Sequence, residues 1–375
     1  MRAVRLFPLS ALVALVGASA CATLATQGQI GQNLPSSGVG PFQALTQMQV
    51  EHADVAPYVM LEPGQTLTEP SVLPASGDLS SPSLLMFVVA QGSKGTVIER
   101  TSSGDGVSFY GDTADEERNP SHRPPVVLSA SLAWEGVSVS GPSVMRVASE
   151  IWMYYAAGGG IGLAKSSDGM TFTKTGAPVL ATDAGAAWET SVPHAPTVAT
   201  FPDGSWHMMY AAGTSIGEAT SSDGMTWTRV SESPVLVPST PVDPKTLGPG
   251  ETVPFDEATV EDPLLVPRVD PTGQLQVRLL YTGYSAPTSS TSRSGQIGFA
   301  ARYGDTGALS RQIVPVYVAP GSSASGPALL QWNGPTMLYV SQLDIAFMPS
   351  PLALAAAYDP GEGNPPPVGM YPAQP

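Results

Sequence analysis

Short apolar runs separated by turn residues dominate the middle of the chain. The runs Ile151–Ala157 and Trp206–Ala212 are rich in aromatic and Met residues, and each is followed by Gly. Runs of this length favour buried strands over helices. Asp-Gly follows both runs, at 168–169 and at 223–224, and Gly tolerates the positive φ that a tight hairpin requires. The pattern predicts strands joined by tight turns.

This strand pattern repeats along the chain. Ser166–Phe172 reads SSDGMTF and Ser221–Trp227 reads SSDGMTW, and Ser103–Phe109 is a looser copy. Each repeat predicts four strands: one that opens at x-Pro-[ST]-Val, one at the Met-x-Tyr run, one at Ile-Gly-x-Ala-x-Ser, and one that follows Asp-Gly and ends near Pro-Val-Leu. A four-stranded repeating unit is typical of a propeller blade.

Five copies of the unit can be traced. The first strands open at Pro70, Pro142, Pro196, Pro263 and Pro327, and the second strands are Leu84–Ala90, Ile151–Ala157, Trp206–Ala212, Val277–Thr282 and Thr336–Ser341. We therefore predict an all-β fold, a five-bladed β-propeller of four-stranded blades over residues 56–358. A six- or seven-bladed propeller with degenerate blades is the alternative, and a β-sandwich explains the repeat less well.

Composition and charge support this fold and exclude some functions. The chain has 39 Gly and 38 Pro among 375 residues, and only 13% of residues are charged, against about 25% in typical domains. The formal net charge of −15 repels phosphate backbones, so we predict no nucleic-acid partner. The single Cys excludes an intramolecular disulfide.

The N-terminal segment predicts export. Arg2 and Arg5 precede the apolar stretch Leu6–Val16, and small residues lead to Cys21. We interpret residues 1–20 as a signal peptide and Cys21 as a lipidated N-terminus, because the segment resembles a bacterial lipobox. The alternative is an ordinary secretory signal with Cys21 incidental.

The segments that flank the predicted propeller lack an apolar pattern. Residues 21–55 are predicted to be the lipidated Cys and a flexible tether, and residues 359–375 a disordered Pro/Gly-rich tail. Ala22 follows the Cys, and by the bacterial sorting pattern this favours attachment to the outer membrane or cell surface. The lipid anchor is the only membrane contact that we predict, and we expect a monomer.

The run from Trp206 to Trp227 resembles the five-bladed propeller glycosidases, the superfamily of arabinanases, β-xylosidases, levansucrases and invertases. The resemblance covers roughly residues 60–350 and implies an active site in the central funnel. Its carboxylates would stand at the starts of successive first strands, often just before a Pro. The likeness concerns the scaffold more than the chemistry.

The resemblance points to four candidate catalytic residues. Glu69 precedes Pro70, where the superfamily usually has an Asp that acts as base or nucleophile. His194 lies two residues before Pro196, at the place of the acid, and a His can protonate a leaving group near neutral pH. Glu261 and Asp262 precede Pro263. The second blade has Gly141 in place of a further Asp, so the usual triad is not intact.

Each candidate also has a structural interpretation. Glu69, Glu261 and Asp262 could be solvated residues at strand starts, and His194 could be a packed His. Trp134, Trp188 and Tyr284 are candidate sugar platforms, but blade packing explains the two Trp better. We predict no cofactor and no metal; a Ca²⁺ ion held by Glu261, Asp262 and His194 is the alternative.

Two functions remain open at this point. The first is a glycosidase-like enzyme of the cell envelope whose partner is carbohydrate. The second is a non-catalytic propeller that binds a glycan or a protein with a decayed active site. A structural envelope lipoprotein is a third, plainer alternative.

Overall fold

The computed structural model describes residues 42–44, 67–76, 83–104, 106, 109, 124–248, 253–270, 272–285, 294–319, 322–331, 336–344 and 353–358. Within these ranges the chain forms strands, turns and two single-turn 3₁₀ helices, Ala133–Glu135 and Pro244–Thr246. No helix there is long and apolar enough to cross a membrane. The predicted signal peptide, Cys21 and the C-terminal tail lie outside the described residues.

Four antiparallel sheets are each built from four consecutive strands. Blade 1 comprises β2 to β5, blade 2 β6 to β9, blade 3 β10 to β13 and blade 4 β14 to β17. Their bounds are β2 Leu67–Pro74, β3 Leu84–Gln91, β4 Thr96–Ser103, β5 Val126–Leu128, β6 Val139–Val147, β7 Glu150–Ala157, β8 Gly160–Ser166, β9 Thr173–Lys174, β10 His194–Thr200, β11 Trp206–Ala212, β12 Ser215–Ser221, β13 Thr228–Arg229, β14 Thr259–Val269, β15 Leu275–Tyr284, β16 Gly295–Tyr303 and β17 Ser310–Arg311.

A fifth sheet, blade 5, joins the two ends of the described chain. Strands β18 (Ser322–Gln331), β19 (Thr336–Asp344) and β20 (Ala353–Tyr358) pair in order, and β1 (Gln43–Ala44) adds the outer strand antiparallel to β20. Two residues inside the segment predicted to be a tether therefore belong to a sheet. A two-residue strand carries no apolar periodicity, so the sequence pattern could not reveal it.

The all-β propeller of four-stranded blades is confirmed. The first strands β2, β6, β10, β14 and β18 contact one another in this order, and β18 returns to β2. The outer strands are shorter than predicted, because the Pro-Val-Leu segments add only single bridges, Leu180 to Ile161 and Leu236 to Ile216. The cores lie between neighbouring blades, where residues such as Phe87, Met153 and Met209 are buried.

The position of the prolines differs from the prediction. Each X-Pro pair lies inside its first strand at a β-bulge, and does not open the strand. The register shifts fall between Thr68 and Ser71, Ser140 and Ser143, His194 and Thr197, Glu261 and Leu264, and Ser325 and Ala328. Proline cannot donate a ladder hydrogen bond, and a bulge removes the need for one.

The hydroxyl residue after three of these prolines links one blade to the next. Ser71 Oγ accepts a hydrogen bond from Val144 N at 3.1 Å, and Ser143 Oγ accepts one from Val198 N at 3.1 Å. Thr197 Oγ1 accepts one from Leu265 N at 3.0 Å. These contacts explain why the motif reads x-Pro-[ST] in the first three blades.

The aromatic residue after each Asp-Gly turn packs between blades, as predicted. Phe172 of blade 2 meets Phe87 of blade 1 edge to face, with ring centroids 5.8 Å apart. Trp227 of blade 3 makes the same contact with Tyr154 of blade 2 at 5.9 Å. Phe109, at the end of the blade 1 copy, meets Tyr339 of blade 5 at 5.7 Å. This last contact shows that blades 1 and 5 are neighbours, as ring closure requires.

Candidate functional site

Five residues that precede a proline meet at the centre of the ring, one from each blade. They share a positive φ: Glu69 (52°), Gly141 (55°), Ala195 (45°), Asp262 (47°) and Gly326 (59°). With their prolines they line a central cavity of about 40 Å³. This volume accommodates roughly two or three water molecules and no sugar ring.

The positive φ is most informative at Glu69 and Asp262, because these two residues have functional side chains. Gly adopts this conformation without strain, whereas a residue with a Cβ is destabilised by about 1–2 kcal/mol. Two blades use Gly here, so Glu69 and Asp262 retain their side chains at an energetic cost. Strained residues of this kind occur often at functional sites. Ala195 has the same φ without a functional group, so strain alone does not identify the site.

Glu69 reaches from blade 1 towards blade 2. Its Oε2 accepts a hydrogen bond from Gly141 N at 2.5 Å, and its own backbone N–H donates to Ser341 Oγ at 2.8 Å. A Cβ at Gly141 would lie 3.0 Å from the Cα of Ala195. The second-blade position that the resemblance assigns to an Asp therefore has no room for a side chain without a shift of its neighbour.

Asp262 is held from two neighbouring strands. Its Oδ2 accepts hydrogen bonds from Thr282 Oγ1 at 2.9 Å and from Gly326 N at 3.1 Å. Thr282 lies on β15 and Gly326 on β18 of the next blade. The carboxylate is therefore fixed by two donors, while Glu69 receives one from Gly141.

The two carboxyl groups influence each other. Burial, followed by repulsion from Asp262, raises the pKa of Glu69 to about 7, although the Gly141 N–H lowers it and Glu261 adds a smaller rise. Burial also raises the pKa of Asp262, against the lowering effects of Thr282, His194 and Gly326. Both carboxyl groups therefore hold a proton more readily than a free carboxyl group does, and Glu69 does so up to about pH 7.

The other two candidates for catalysis lie beside this pair. Glu261 raises the pKa of Glu69, and His194 lowers that of Asp262, so each of the two acts electrostatically on one member of the pair. His194 Nδ1 is 3.0 Å from the carbonyl oxygen of Val192, the geometry of an Nδ1–H donor.

Tyr284 also lies beside these carboxyl groups. Its hydroxyl group is hydrogen-bonded to Glu261 and Ser325, and burial, then the charges of Asp262 and Glu261, raise the pKa of the phenol. Of the three predicted sugar platforms, Tyr284 is the one that the structure brings to the carboxyl groups. The sequence did not reveal Thr282, Ser325 or Ser341, because isolated hydroxyl residues in strands carry no recognisable pattern.

Trp134 and Trp188 lie elsewhere, against the second and third strands of their blades. Trp134 stacks on Tyr155 with centroids 6.0 Å apart, and Trp188 packs on Tyr210 at 5.8 Å. A Cβ at Gly162 would lie 2.8 Å from the Trp134 ring, so the Gly of the Ile-Gly motif provides space for the indole. This is the packing interpretation given above.

In blades 2, 3 and 4 the acid that follows Trp134, Trp188 or Phe255 contacts two other side chains of its own blade, and we call this trio a clamp. The clamp consists of that acid, a Tyr on the second strand and a cation on the fourth. Glu189 accepts hydrogen bonds from Tyr210 Oη at 2.7 Å and from Arg229 Nε at 2.6 Å. The corresponding trios are Glu135, Tyr155 and Lys174 in blade 2 and Asp256, Tyr281 and Arg311 in blade 4.

The described residues hold no group of three or more His, Cys, Asp or Glu side chains placed to bind a metal ion.

No protein-family model and no curated protein sequence matches the chain. Solved structures do match. A glycosyl hydrolase from Bacteroides ovatus is similar over 89% of this chain and 98% of its own, with 15% identity and a TM-score of 0.59. The two proteins share the propeller fold.

Two further structures show the same likeness. One, titled as a study of GH130 mannoside phosphorylases and hydrolases of β-1,2 mannosidic linkages in Candida mannan, covers 88% of this chain and 96% of its own at 15% identity, with a TM-score of 0.58. A Cellvibrio cellulosa α-L-arabinanase mutant covers 82% and 98% at 12% identity, with a TM-score of 0.53. At these identities the similarity concerns the fold alone.

Proposed function

We propose that this protein acts on glycans at the centre of its propeller and hydrolyses a glycosidic bond there. The observation that carries the proposal is the Glu69–Asp262 pair: burial raises the pKa of both carboxyl groups, and the charge of Asp262 helps to raise that of Glu69 to about 7. Glycoside hydrolysis needs a protonated group for the leaving oxygen and an ionised carboxylate for the sugar carbon or for water.

The hydrogen bonds assign a role to each carboxyl group. Asp262 accepts two hydrogen bonds that stabilise its charged form, whereas Glu69 accepts one from Gly141. With a pKa of about 7, Glu69 is therefore our candidate for the protonated group. In the reaction, Glu69 gives its proton to the glycosidic oxygen as the bond from that oxygen to the anomeric carbon breaks. A water molecule then adds to the anomeric carbon, and its proton returns to Glu69. Asp262 supplies the negative charge that the developing cation requires.

The surroundings support the pair. His194 favours the ionised form of Asp262, and Tyr284 holds Glu261 by a hydrogen bond. Because the cavity between the prolines is too small for a sugar, the substrate would bind at its open end. The carboxyl groups would then contact only the terminal linkage.

A non-catalytic glycan-binding propeller is the second candidate. Two observations favour it: the central cavity of about 40 Å³, and the small residues Gly141 and Ala195 at two of the five pre-proline positions. Under this alternative the carboxyl groups would hydrogen-bond sugar hydroxyls and would catalyse nothing.

A substrate screen separates the two candidates. Purified protein would be assayed on aryl-glycosides and on mannan, arabinan and other plant or microbial polysaccharides. The hydrolase proposal expects turnover that falls at least about 100-fold in Glu69→Gln, the range of a lost general acid, and stays unchanged in Asp305→Asn, a control at an exposed residue. Glycan binding without turnover in the wild-type protein would establish the second candidate.

We also propose that the protein is exported and anchored by a lipid on Cys21. The support is the basic, apolar and small-residue order of the leader and the position of the single Cys directly after it. Mass spectrometry of the mature N-terminus would detect the lipid. An unmodified Cys21 after cleavage, or Cys21→Ser protein that fractionates with membranes as the wild type does, would refute the anchor.

A further inference from the structure

A surface groove in blade 3 has the size and chemistry of a ligand site. Its volume is about 510 Å³, within the roughly 300–1,000 Å³ typical of small-molecule sites. It lies between the loop that precedes β10 and the outer strand β13. The residues that argue for a ligand are Trp227, Arg229, Asp183 and Glu232, all of which line the groove. It shares no lining residue with the central cavity.

Trp227 forms an aromatic wall whose orientation is fixed. The edge-to-face contact with Tyr154 and the hydrogen bond from its indole Nε1 to Gly224 O at 3.2 Å hold the ring in place. The ring is only partly buried and lines the groove. A rigid aromatic surface binds the apolar face of a ligand with little loss of side-chain entropy.

Arg229 is also held rigidly, and its hydrogen bonds use only some of its N–H donors. Its Nε donates to Glu189 Oε1 at 2.6 Å, and its Nη2 donates to Glu189 Oε2 at 2.8 Å and to Ala181 O at 2.6 Å. Among the described residues no hydrogen bond uses Nη1, and a guanidinium group has five N–H donors. Arg229, which lines the groove, therefore has two further N–H donors on a guanidinium group that is already fixed in place.

The local charges exclude an anionic ligand. The charge of Arg229 is neutralised by Glu189 in a salt bridge. Asp183 and Glu232 are exposed and add two negative charges to the rim. A phosphate or carboxylate ligand would be repelled, while a neutral ligand with several hydroxyl groups could use carboxylate acceptors and guanidinium donors together.

The internal repeat shows that the stability of a blade does not require Asp183, Trp227, Arg229 and Glu232 at these positions. In blade 2, Phe172 and Lys174 occupy the positions of Trp227 and Arg229, and they maintain the same inter-blade contact and the same clamp. Three residues after the clamp cation, blade 2 has Ala177 where blade 3 has Glu232. Six residues before the clamp acid, it has Ser129 where blade 3 has Asp183.

From these observations we infer that the groove of Asp183, Trp227, Arg229 and Glu232 is a second glycan-binding site, which stacks a neutral sugar unit on Trp227 and hydrogen-bonds its hydroxyl groups. The choice of a sugar rests in part on the proposed function of the central site. The binding itself is independent of catalysis and would hold a polysaccharide chain on the outer side of blade 3.

Blade 2 supplies the control for the test, because its copy of the repeat lacks the four groove residues. A blade-2-like variant, Asp183→Ser with Trp227→Phe, Arg229→Lys and Glu232→Ala, should fold because these residue types already coexist in blade 2. Affinity gel electrophoresis of the full-length protein in mannan, arabinan and rhamnogalacturonan II would measure binding. We expect the glycan that retards the wild-type protein to retard this variant at least about tenfold more weakly, and to retard the exposed control Asp305→Asn as it retards the wild-type protein.

A reciprocal variant extends the test to a gain of binding. Ser129→Asp with Phe172→Trp, Lys174→Arg and Ala177→Glu places the same set in blade 2, and stronger retardation is expected. Equal retardation of the wild-type protein and the blade-2-like variant would overturn the inference, as would no retardation by any of the three glycans. If the wild-type protein hydrolyses no glycan but its retardation depends on the groove residues, the proposed hydrolysis is contradicted and the groove remains supported as a binding site.

Discussion

Replacement of Glu69 by Gln should remove a distinct pH dependence of folding stability. Burial and the charge of Asp262 raise the pKa of Glu69 from 4.5 to about 7 in the folded protein. A raised pKa means that the folded state binds the proton more tightly than the unfolded chain. The contribution of Glu69 is therefore fully present below the unfolded pKa of 4.5, falls between pH 4.5 and 7, and is lost above the folded pKa.

The size of this pH dependence follows from the rise in the pKa of Glu69. At about 1.4 kcal/mol per pKa unit, the unfolding free energy lost between pH 4.5 and 8 amounts to at most about 3 kcal/mol. Glu69 retains part of its exposure to the central cavity, and solvent screening reduces this figure. Gln has a similar shape and does not titrate, so the wild-type protein should lose this much more stability than Glu69→Gln as the pH rises.

Urea unfolding at pH 5, 6, 7 and 8 would measure the difference, with Glu232→Gln as an exposed control. The difference in unfolding free energy between the wild-type protein and Glu69→Gln should change in favour of the variant as the pH increases. If that difference were constant, or moved in the other direction, Glu69 would not hold a proton in the folded state and the argument would fail.

Three further changes probe the same region. Gly141→Ala should destabilise the protein by about 1–3 kcal/mol more than Gly204→Ala, because both positions have positive φ but only at Gly141 would a Cβ crowd its neighbours; thermal unfolding compares the two. Ser143→Ala leaves the N–H of buried Val198 without its acceptor and should lower the unfolding free energy by about 1–2 kcal/mol, whereas an unchanged value would mean that the inter-blade link contributes nothing. Asp262→Asn removes the charge that raises the pKa of Glu69 and should move the pH midpoint of the stability loss to a lower value.

The blades could be predicted from the sequence because each repeat contains strong local signals. The Met-x-Tyr runs and the Asp-Gly turns are both local, and Trp206–Ala212 was predicted with its observed bounds. The positions of the prolines could not be predicted, because an X-Pro pair at a strand start and one at a bulge look alike in sequence. The strand Gln43–Ala44 pairs with a segment some 300 residues away, so no local pattern reveals it.

The site was predictable where position in the repeat determines geometry. Glu69 and Asp262 directly precede a proline of the repeat, whereas His194 and Glu261 lie two residues before one. In the structure Glu261 acts electrostatically on Glu69, and His194 on Asp262. The second role suggested for Trp134 and Trp188 finds no support, since nothing in the sequence separates a Trp that lines a funnel from one that covers a Gly. The partners Thr282 and Ser341 come from other strands of the ring and depend on tertiary structure.

The pH dependence of hydrolysis tests the central claim most directly. On the best substrate of the screen, kcat/KM of the wild-type protein should fall as the pH rises through about 7, where Glu69 loses its proton, and Glu69→Gln should lose at least about 100-fold at its optimum. No turnover on any glycan, or a Glu69→Gln variant with the rate and pH profile of the wild-type protein, would contradict the account.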